Sequence, residues 1–337
     1  MEKPLVAGVA LTLLAGVMSG NCMLPLKFVR SWAWENVWLV FSITSLVVLP
    51  WVLALSLVDH LLNVYATVPF SVLVLPFAMG MGWGVAQILF GISVQRLGLA
   101  LAYAVIVGLG AVLGTLVPFF VLSNTGRVHH TLELVLAGVA LTIVGIFLIT
   151  WGGRIHDRDT RSHPELGKQQ AYAAAIGLAV LCGVLAPMLN YSFAFGKPIA
   201  DHAIAAGNTA AHSGYAIWPV GLAGGFLPNA AYSLYLLWKN RTLSLFRLPG
   251  KDSSWPLLMG FLWMGAFALY SLASSFLGPL GTSIGWGLMQ IFMIAAATAS
   301  GIFSGEWKSA SRSALFFLSW GLTALAFAIA LLAKGSR

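Results

Sequence analysis

Charged residues in this chain are confined to short patches, and the stretches between them decide the class of fold. Uncharged runs extend from Pro4 to Leu26, Asn36 to Val58, Leu61 to Gln95, Leu97 to Gly126 and Leu134 to Gly153. They resume from Gln169 to Gly196, Ala203 to Trp238, Ser253 to Gly305 and Ser313 to Ala333. A helix needs about 20 apolar residues to cross the hydrocarbon core of a bilayer. Most runs therefore hold one crossing, and the 53 residues from Ser253 to Gly305 hold two, with GPLG at 278–281 as the break. The expectation is an all-α integral membrane protein of ten transmembrane helices. Composition excludes a soluble fold, because only 8% of residues are charged against roughly 25% in soluble domains. The first run leads into Ser19, Gly20 and Asn21 without a small-residue cleavage pattern, so it reads as helix one and not as a removed signal. Cys22 and Cys182 fall in apolar helices far apart in sequence and read as small buried hydrophobes.

Lysine and arginine set the expected orientation. The loops after helices one, three, five, seven and nine carry 13 of them, and the termini with the remaining loops carry 5. The positive-inside rule then puts both termini outside and the 27–38 stretch, KFVRSWAWENVW, at the cytoplasmic face. The net charge of +8 is spread over these loops, which suits lipid headgroups and not nucleic acid. The segment RIHDRDTRSHPE at 154–165 alternates in sign and reads as a solvated, orientation-setting linker; no metal site is expected there or elsewhere.

The two halves of the chain repeat each other. PFAMGMGWGVAQILFGISVQRLG at 76–98 and PLLMGFLWMGAFALYSLASSFLG at 256–278 share eight identities at a constant offset of 180, among them Gly80/Gly260 and Trp83/Trp263. SGNCMLP at 19–25 echoes LCGVLAP at 181–187 more weakly. Five helices duplicated give two halves of opposite orientation, a 5+5 inverted repeat. The division is a first repeat over 1–153, a charged cytoplasmic linker over 154–170 and a second repeat over 171–337. Such halves can expose a site between them to one side and then the other, which favours a transporter.

The uncharged runs hold no Asp, Glu, Lys or Arg, so a charged cargo has no counter-ion at membrane depth. Their polar groups are neutral, and large aromatics accompany them. Asn21, Gln87, Tyr103, Asn190, Tyr270 and Gln290, with the ring faces of Trp83 and Trp286, form the candidate lining for a neutral polyhydroxylated ligand such as a sugar. Each amide is equally suited to bridging two helices. An exporter or facilitator of another small neutral metabolite is a competing reading. A multi-pass membrane enzyme is another, although no HExxH and no carboxylate lies inside an uncharged run.

Several segments resemble the L-rhamnose–proton symporter family of the drug/metabolite transporter superfamily. They are NCMLPLKFVRSWAWENVWLVFSITSLVVLPW at 21–51, GMGWGVAQILFGISVQRLGLALAYAVIVGLGAVLGTLVP at 80–118, GKPIADHA at 196–203 and GEWK at 305–308. The resemblance implies a 5+5 inverted-repeat carrier in a bacterial inner membrane that imports a deoxyhexose with a proton, without a cofactor. It singles out Lys27, Trp32, Trp34, Glu35, Trp38, Trp83, Gly91, Lys197, Pro198, Asn229, Trp286, Glu306 and Trp307. Gln87 stands where related sequences carry Asn, and Asp201 where they carry Glu. The chain departs at Thr282 and Ser283, where the family can carry an acid. The titrating or gating groups are therefore sought at helix ends, in Lys27, Glu35, Asp201 and Glu306, with Lys27 and Glu35 as a possible pair.

Overall fold

The computed structural model describes residues 3–97, 99–122, 128–160, 169–247, 251–305 and 307–335. Long helices follow one another: α1 (Lys3–Asn21), α2 (Trp34–Leu57), α3 (Phe70–Leu97), α4 (Leu99–Leu122) and α5 (Val128–Thr160). Then come α6 (Gln169–Leu185, continued as Met188–Phe195), α7 (Trp218–Asn240), α8 (Ser254–Phe276), α9 (Gly281–Phe303) and α10 (Arg312–Gly335). Among the described residues nine helices are long and apolar enough to cross a membrane, and α4 contributes a shorter apolar stretch, Val105–Val121. The chain is a multi-pass membrane protein. Lipid offers no hydrogen bonds, so helices that satisfy their own backbone are the structures such apolar runs can adopt.

The breaks have local causes. Gly278 takes a positive φ of 79° and opens the short 3-10 turn Gly278–Leu280 between α8 and α9, at the expected GPLG. α1 ends at Asn21 and a 3-10 turn with Pro25 follows; α6 breaks just before Pro187 and resumes at Met188. These breaks fall within the 19–25 and 181–187 pair aligned from sequence. In α2 a π turn spans Thr44–Val48 immediately before Pro50. Proline lacks an N–H and its ring crowds the carbonyl four residues back, that of Leu46, so the wider turn relieves the clash.

Glycine decides which helices meet closely. A Cβ on Gly80 would lie 1.7 Å from the carbonyl oxygen of Gly221, and one on Gly224 would lie 2.0 Å from that of Phe77. α3 and α7 therefore touch backbone to backbone, the small-residue packing that replaces a hydrophobic drive inside lipid. α5 and α10 mesh through a heptad seam, with Gly138 against Leu332, Gly145 against Leu325 and Gly152 against Ala314 and Leu318. α1 packs on both α8 and α9, as α6 packs on α3 and α4, and α2 lies against α7 and α8.

Three expectations are corrected. The segment between helices six and seven is not a plain loop, because Lys197–Ala205 and Ala210–Ser213 are helical, with Pro198 in the first turn of the former, where its missing N–H costs nothing. The stretch beginning at residue 154 is helical through Thr160, so the charged linker opens as an extension of α5. Glu35 lies inside the first turn of α2 and is buried, where the sequence put it in a surface hairpin. An acid suits the exposed N–H groups of a helix start, and its burial follows from contacts with distant residues described below.

Candidate functional site

Halfway along the bundle the aromatic rings converge. Trp83 of α3 and Trp263 of α8, 180 positions apart in sequence, stack at 5.3 Å between centroids. Trp263 meets Phe267 at 4.4 Å, and Phe267 meets Trp218, Tyr270 and Trp286. Phe193 stacks on Trp218 at 4.7 Å and tilts against Tyr270. All seven rings are buried. Gly114 makes room for the Trp286 indole, since a Cβ there would sit 2.2 Å from Nε1, and that N–H reaches Gly110 O at 3.3 Å.

A hydrogen-bonded knot closes one side of the cluster. Asn190, at the restart of α6, donates through Nδ2 to Gly114 O (2.9 Å) and Thr282 O (3.1 Å) and accepts at Oδ1 from the Tyr270 hydroxyl. The cause is Pro118, which stands four residues after Gly114 in α4 and so leaves the Gly114 carbonyl without its helical donor. The Tyr270 hydroxyl also lies 2.8 Å from Thr282 O, so its single proton serves one of two acceptors. Tyr191 donates to Leu113 O at 2.9 Å, and Ser283 to Thr115 O at 2.6 Å. Around the knot Trp218 Nε1, Thr115 Oγ1, Thr282 Oγ1 and Ser271 Oγ are buried without a hydrogen-bond partner among the described residues. Buried polar atoms with nothing to bond are costly in apolar surroundings.

The structure brings Trp83, Asn190, Tyr270 and Trp286 together. Gln87 lies one turn along α3 from Trp83, and Gln290 one turn along α9 from Trp286; neither amide has a hydrogen bond among the described residues. Asn21 stands apart. It bonds Val17 O at 2.8 Å and accepts from Ser300 Oγ, and Ser300 is 14 residues beyond Trp286 on α9, about 21 Å along the axis. The Tyr103 side chain and Glu306 lie outside the described residues. Phe193 and Phe267 were missed, because phenylalanine in an apolar helix has no chemical signature. Asn190 draws its importance from Pro118, 72 positions earlier, a link that only folding makes. Cys22 and Cys182 are free and buried as expected, and Cys182 Sγ donates to Ala86 O at 3.1 Å.

Asp201 pairs with Lys197 at 2.8 Å in solvent, both side chains more than half exposed (51% and 68%). An exposed i,i+4 pair of this kind contributes at most a few tenths of a kcal/mol. Lys27 is exposed. Glu35 is 4% exposed and accepts at Oε1 from Thr242 Oγ1 (2.7 Å) and Asn240 Nδ2 (3.0 Å), while Asn36 Nδ2 reaches Thr242 O at 3.0 Å. Trp34 and Trp38 stack at 5.0 Å, and Trp38 Nε1 donates to Asn229 Oδ1 at 2.9 Å. These tryptophans join α2 to α7 as well as facing outward.

Asp252, which the sequence gave no reason to single out, holds the first turn in place. Its carboxylate accepts from the backbone N–H groups of Arg30 and Ser31 and, at 3.1 Å, of Trp32. The Ser31 amide, opposed by burial and helped by Arg30 and Trp32, holds the carboxyl below its ordinary value. A depressed folded pKa means that this stabilisation is present above the unfolded value and is lost as pH falls through the folded one. Asp252→Asn is therefore expected to lower the melting temperature of detergent-solubilised protein at pH 7. The gap from wild type should begin to close below about pH 4, and a gap that stays constant down to pH 3 would contradict the assignment.

The whole sequence, residues 1–336, matches the family described as L-rhamnose-proton symport protein. L-rhamnose-proton symporters of Citrobacter koseri and Cronobacter sakazakii are each 26% identical, over 96% of this chain and 96% and 95% of theirs. That of Klebsiella pneumoniae is 25% identical over 96% of both chains. A match of that extent shows the lineage: the chain belongs to the L-rhamnose-proton symport protein family.

Proposed function

We propose that the protein imports a neutral deoxyhexose, L-rhamnose or a close relative, together with a proton across a bacterial inner membrane. The observation that carries this reading is the family match over residues 1–336. It also sets aside the membrane-enzyme alternative, because the family is one of transporters. The mechanism is alternating access between two inverted five-helix halves, with both termini outside. Support comes from the neighbour pattern: replacing each helix by the one five places on turns α1·α8, α1·α9 and α3·α7 into α6·α3, α6·α4 and α8·α2, all of which are contacts. Trp83 and Trp263, equivalent under that exchange, touch each other, as residues on a pseudo-twofold axis would.

In this reading the sugar enters beside the aromatic cluster when one end opens. Trp83 and Trp286 present ring faces, and the uncommitted amides of Gln87 and Gln290 meet hydroxyls. The unpartnered Trp218 Nε1 and Thr282 Oγ1 supply a further donor and acceptor. Asn190 and Tyr270 act from behind, fixing α4, α6, α8 and α9 relative to one another. The test is uptake of labelled L-rhamnose into proteoliposomes. A pH gradient, acid outside, is expected to drive accumulation above the level reached without one. Uptake that ignores the gradient would overturn proton coupling, and absence of uptake with binding of other neutral metabolites would overturn the cargo.

A further inference from the structure

Each end of the bundle is shut by a contact between a segment of one half and a segment of the other. At the lysine- and arginine-rich end, the 22–35 stretch joining α1 to α2 meets the 240–253 stretch joining α7 to α8. Two carboxylates make the join, one from each side: Glu35 receives Thr242 and Asn240, and Asp252 receives the amides of residues 30–32. Trp32 packs edge-on against Phe246 at 5.1 Å, and Phe28 against Trp255 at 5.1 Å. At the opposite end, the segment joining α2 to α3 meets the one joining α6 to α7. There Asn208 makes the join, accepting from the Asp59 N–H at 2.7 Å and donating to Asp59 O and Ala203 O at 3.1 Å. Tyr65 adds a bond to Ala216 O at 2.6 Å. Replacing each helix by the one five places on interchanges the two ends, so they are equivalent contacts in different chemistry. One is built on carboxylates and the other on an uncharged carboxamide.

We propose that Glu35 carries the coupled proton and that its ionisation sets whether the lysine- and arginine-rich end is shut. This rests on the symport reading above. Among the described residues Glu35 is the one buried acid inside a candidate membrane span; Glu133 and Asp201, the other acids within such spans, are exposed. Both of its donors converge on the same oxygen, Oε1, so ionised Glu35 clamps α2 to the end of α7 by two bonds. Protonation, taken up on the unoccupied Oε2, leaves Oε1 an acceptor but removes its charge, so both charge-assisted bonds of the clamp weaken to neutral ones. Among the described side chains, the charged groups on the elements packed around Glu35 are Lys27 and Arg30 before it, Lys239 and Arg241 at the end of α7, and Arg247 and Asp252 beyond. All are exposed except Asp252, whose oxygens are already occupied by backbone amides. At the other end Asn208 does not titrate, and His202, 3.3 Å from the Thr67 hydroxyl, lies on an exposed rim.

The proton balance is simple. One proton, admitted from the outer side with the sugar, binds the Glu35 carboxylate and releases the inner end. It then leaves to the inner solution, which regenerates the carboxylate and the closed contact. The experiment uses full-length protein in proteoliposomes and compares wild type with Glu35→Gln, which keeps the shape and cannot titrate. Glu35→Gln is expected to exchange labelled L-rhamnose at equilibrium, while gradient-driven accumulation falls to the level seen without a gradient. Amide hydrogen exchange over 27–36 and 240–247, corrected for intrinsic rates, should rise in wild type as the pH is lowered through the titration of this carboxyl and stay constant in Glu35→Gln. Normal accumulation by Glu35→Gln overturns the assignment, and loss in Asp201→Asn instead moves the role there. A variant that loses exchange as well as accumulation is damaged at the sugar site and also overturns it. A wild type indifferent to the gradient overturns the symport reading itself, and this proposal with it.

Discussion

Gly80→Ala is expected to be among the most damaging conservative substitutions in the chain. The added methyl would start 1.7 Å from the Gly221 carbonyl oxygen, and the obstacle is backbone, which cannot rotate away. α3 and α7 would have to separate by about 1.5 Å to restore a normal contact, and a gap of 0.5–1 Å already forfeits a quarter to a half of the dispersion well of each atom pair. Because dispersion between small residues is what holds membrane helices together, the loss spreads along the seam through Gly84, Gly224 and Gly225. Overpacking of this severity costs about 3 kcal/mol or more, a large part of the roughly 5–15 kcal/mol that a folded protein has. The measurement is the fraction of monodisperse protein recovered in detergent after a heating series. Gly91→Ala on the same helix, with nothing within 4 Å of the new methyl, should behave as wild type or slightly better. Gly260→Ala is the informative comparison. It is the repeat equivalent of Gly80, but its obstacle is the Thr44 side chain at 2.8–2.9 Å, so its loss should be smaller. Equal damage at 80 and 260 would mean that the close α3–α7 approach is not what matters.

The second large effect is expected from Asn190→Leu. Leucine fills a similar volume but removes both donors and the acceptor at once. Tyr270 can redirect its proton to Thr282 O, which already lies 2.8 Å away. The Gly114 carbonyl has no such recourse, because Pro118 denies it a helical partner and Asn190 is its donor. An orphaned buried carbonyl costs about 1–3 kcal/mol, and the restart of α6 loses its anchor on α4. Uptake of L-rhamnose should be abolished while some folded protein remains. Tyr270→Phe should be milder on stability, since Thr282 O keeps the Asn190 N–H at 3.1 Å. If Tyr270→Phe proves as destabilising as Asn190→Leu, the knot is centred on the phenol and not on the amide.

Much of the fold was legible before folding was considered. The uncharged runs gave the long apolar helices, nine of them long enough to cross a membrane among the described residues, GPLG gave the α8–α9 break, and the 180-residue offset paired Gly80 with Gly260 and Trp83 with Trp263 in sequence. Gly138, Gly145 and Gly152, spaced by seven, already describe the seam that meets Leu318, Leu325 and Leu332, although it takes knowing that α5 and α10 are neighbours to read it. The candidate lining was half legible. Amides and tryptophans announce themselves in an apolar helix, but the same residues serve as ligand contacts or as internal bonds, and sequence does not say which. Asn190 is committed to carbonyls, Asn21 ties α1 to α9, and Gln87 and Gln290 have no hydrogen bond among the described residues.

The stretch KFVRSWAWENVW marks the boundary between the two kinds of information. Its lysine, arginine and tryptophans predict a turn at the membrane surface, because charge and aromatic amphipathicity are local properties. They could not bury Glu35, since the residues that bury and bond it, Asn240 and Thr242, lie more than 200 positions away. Periodicity and composition determine where the apolar helices fall along the chain. Whether a carboxylate faces water or a partner depends on what folds over it, and that is decided only when distant segments meet.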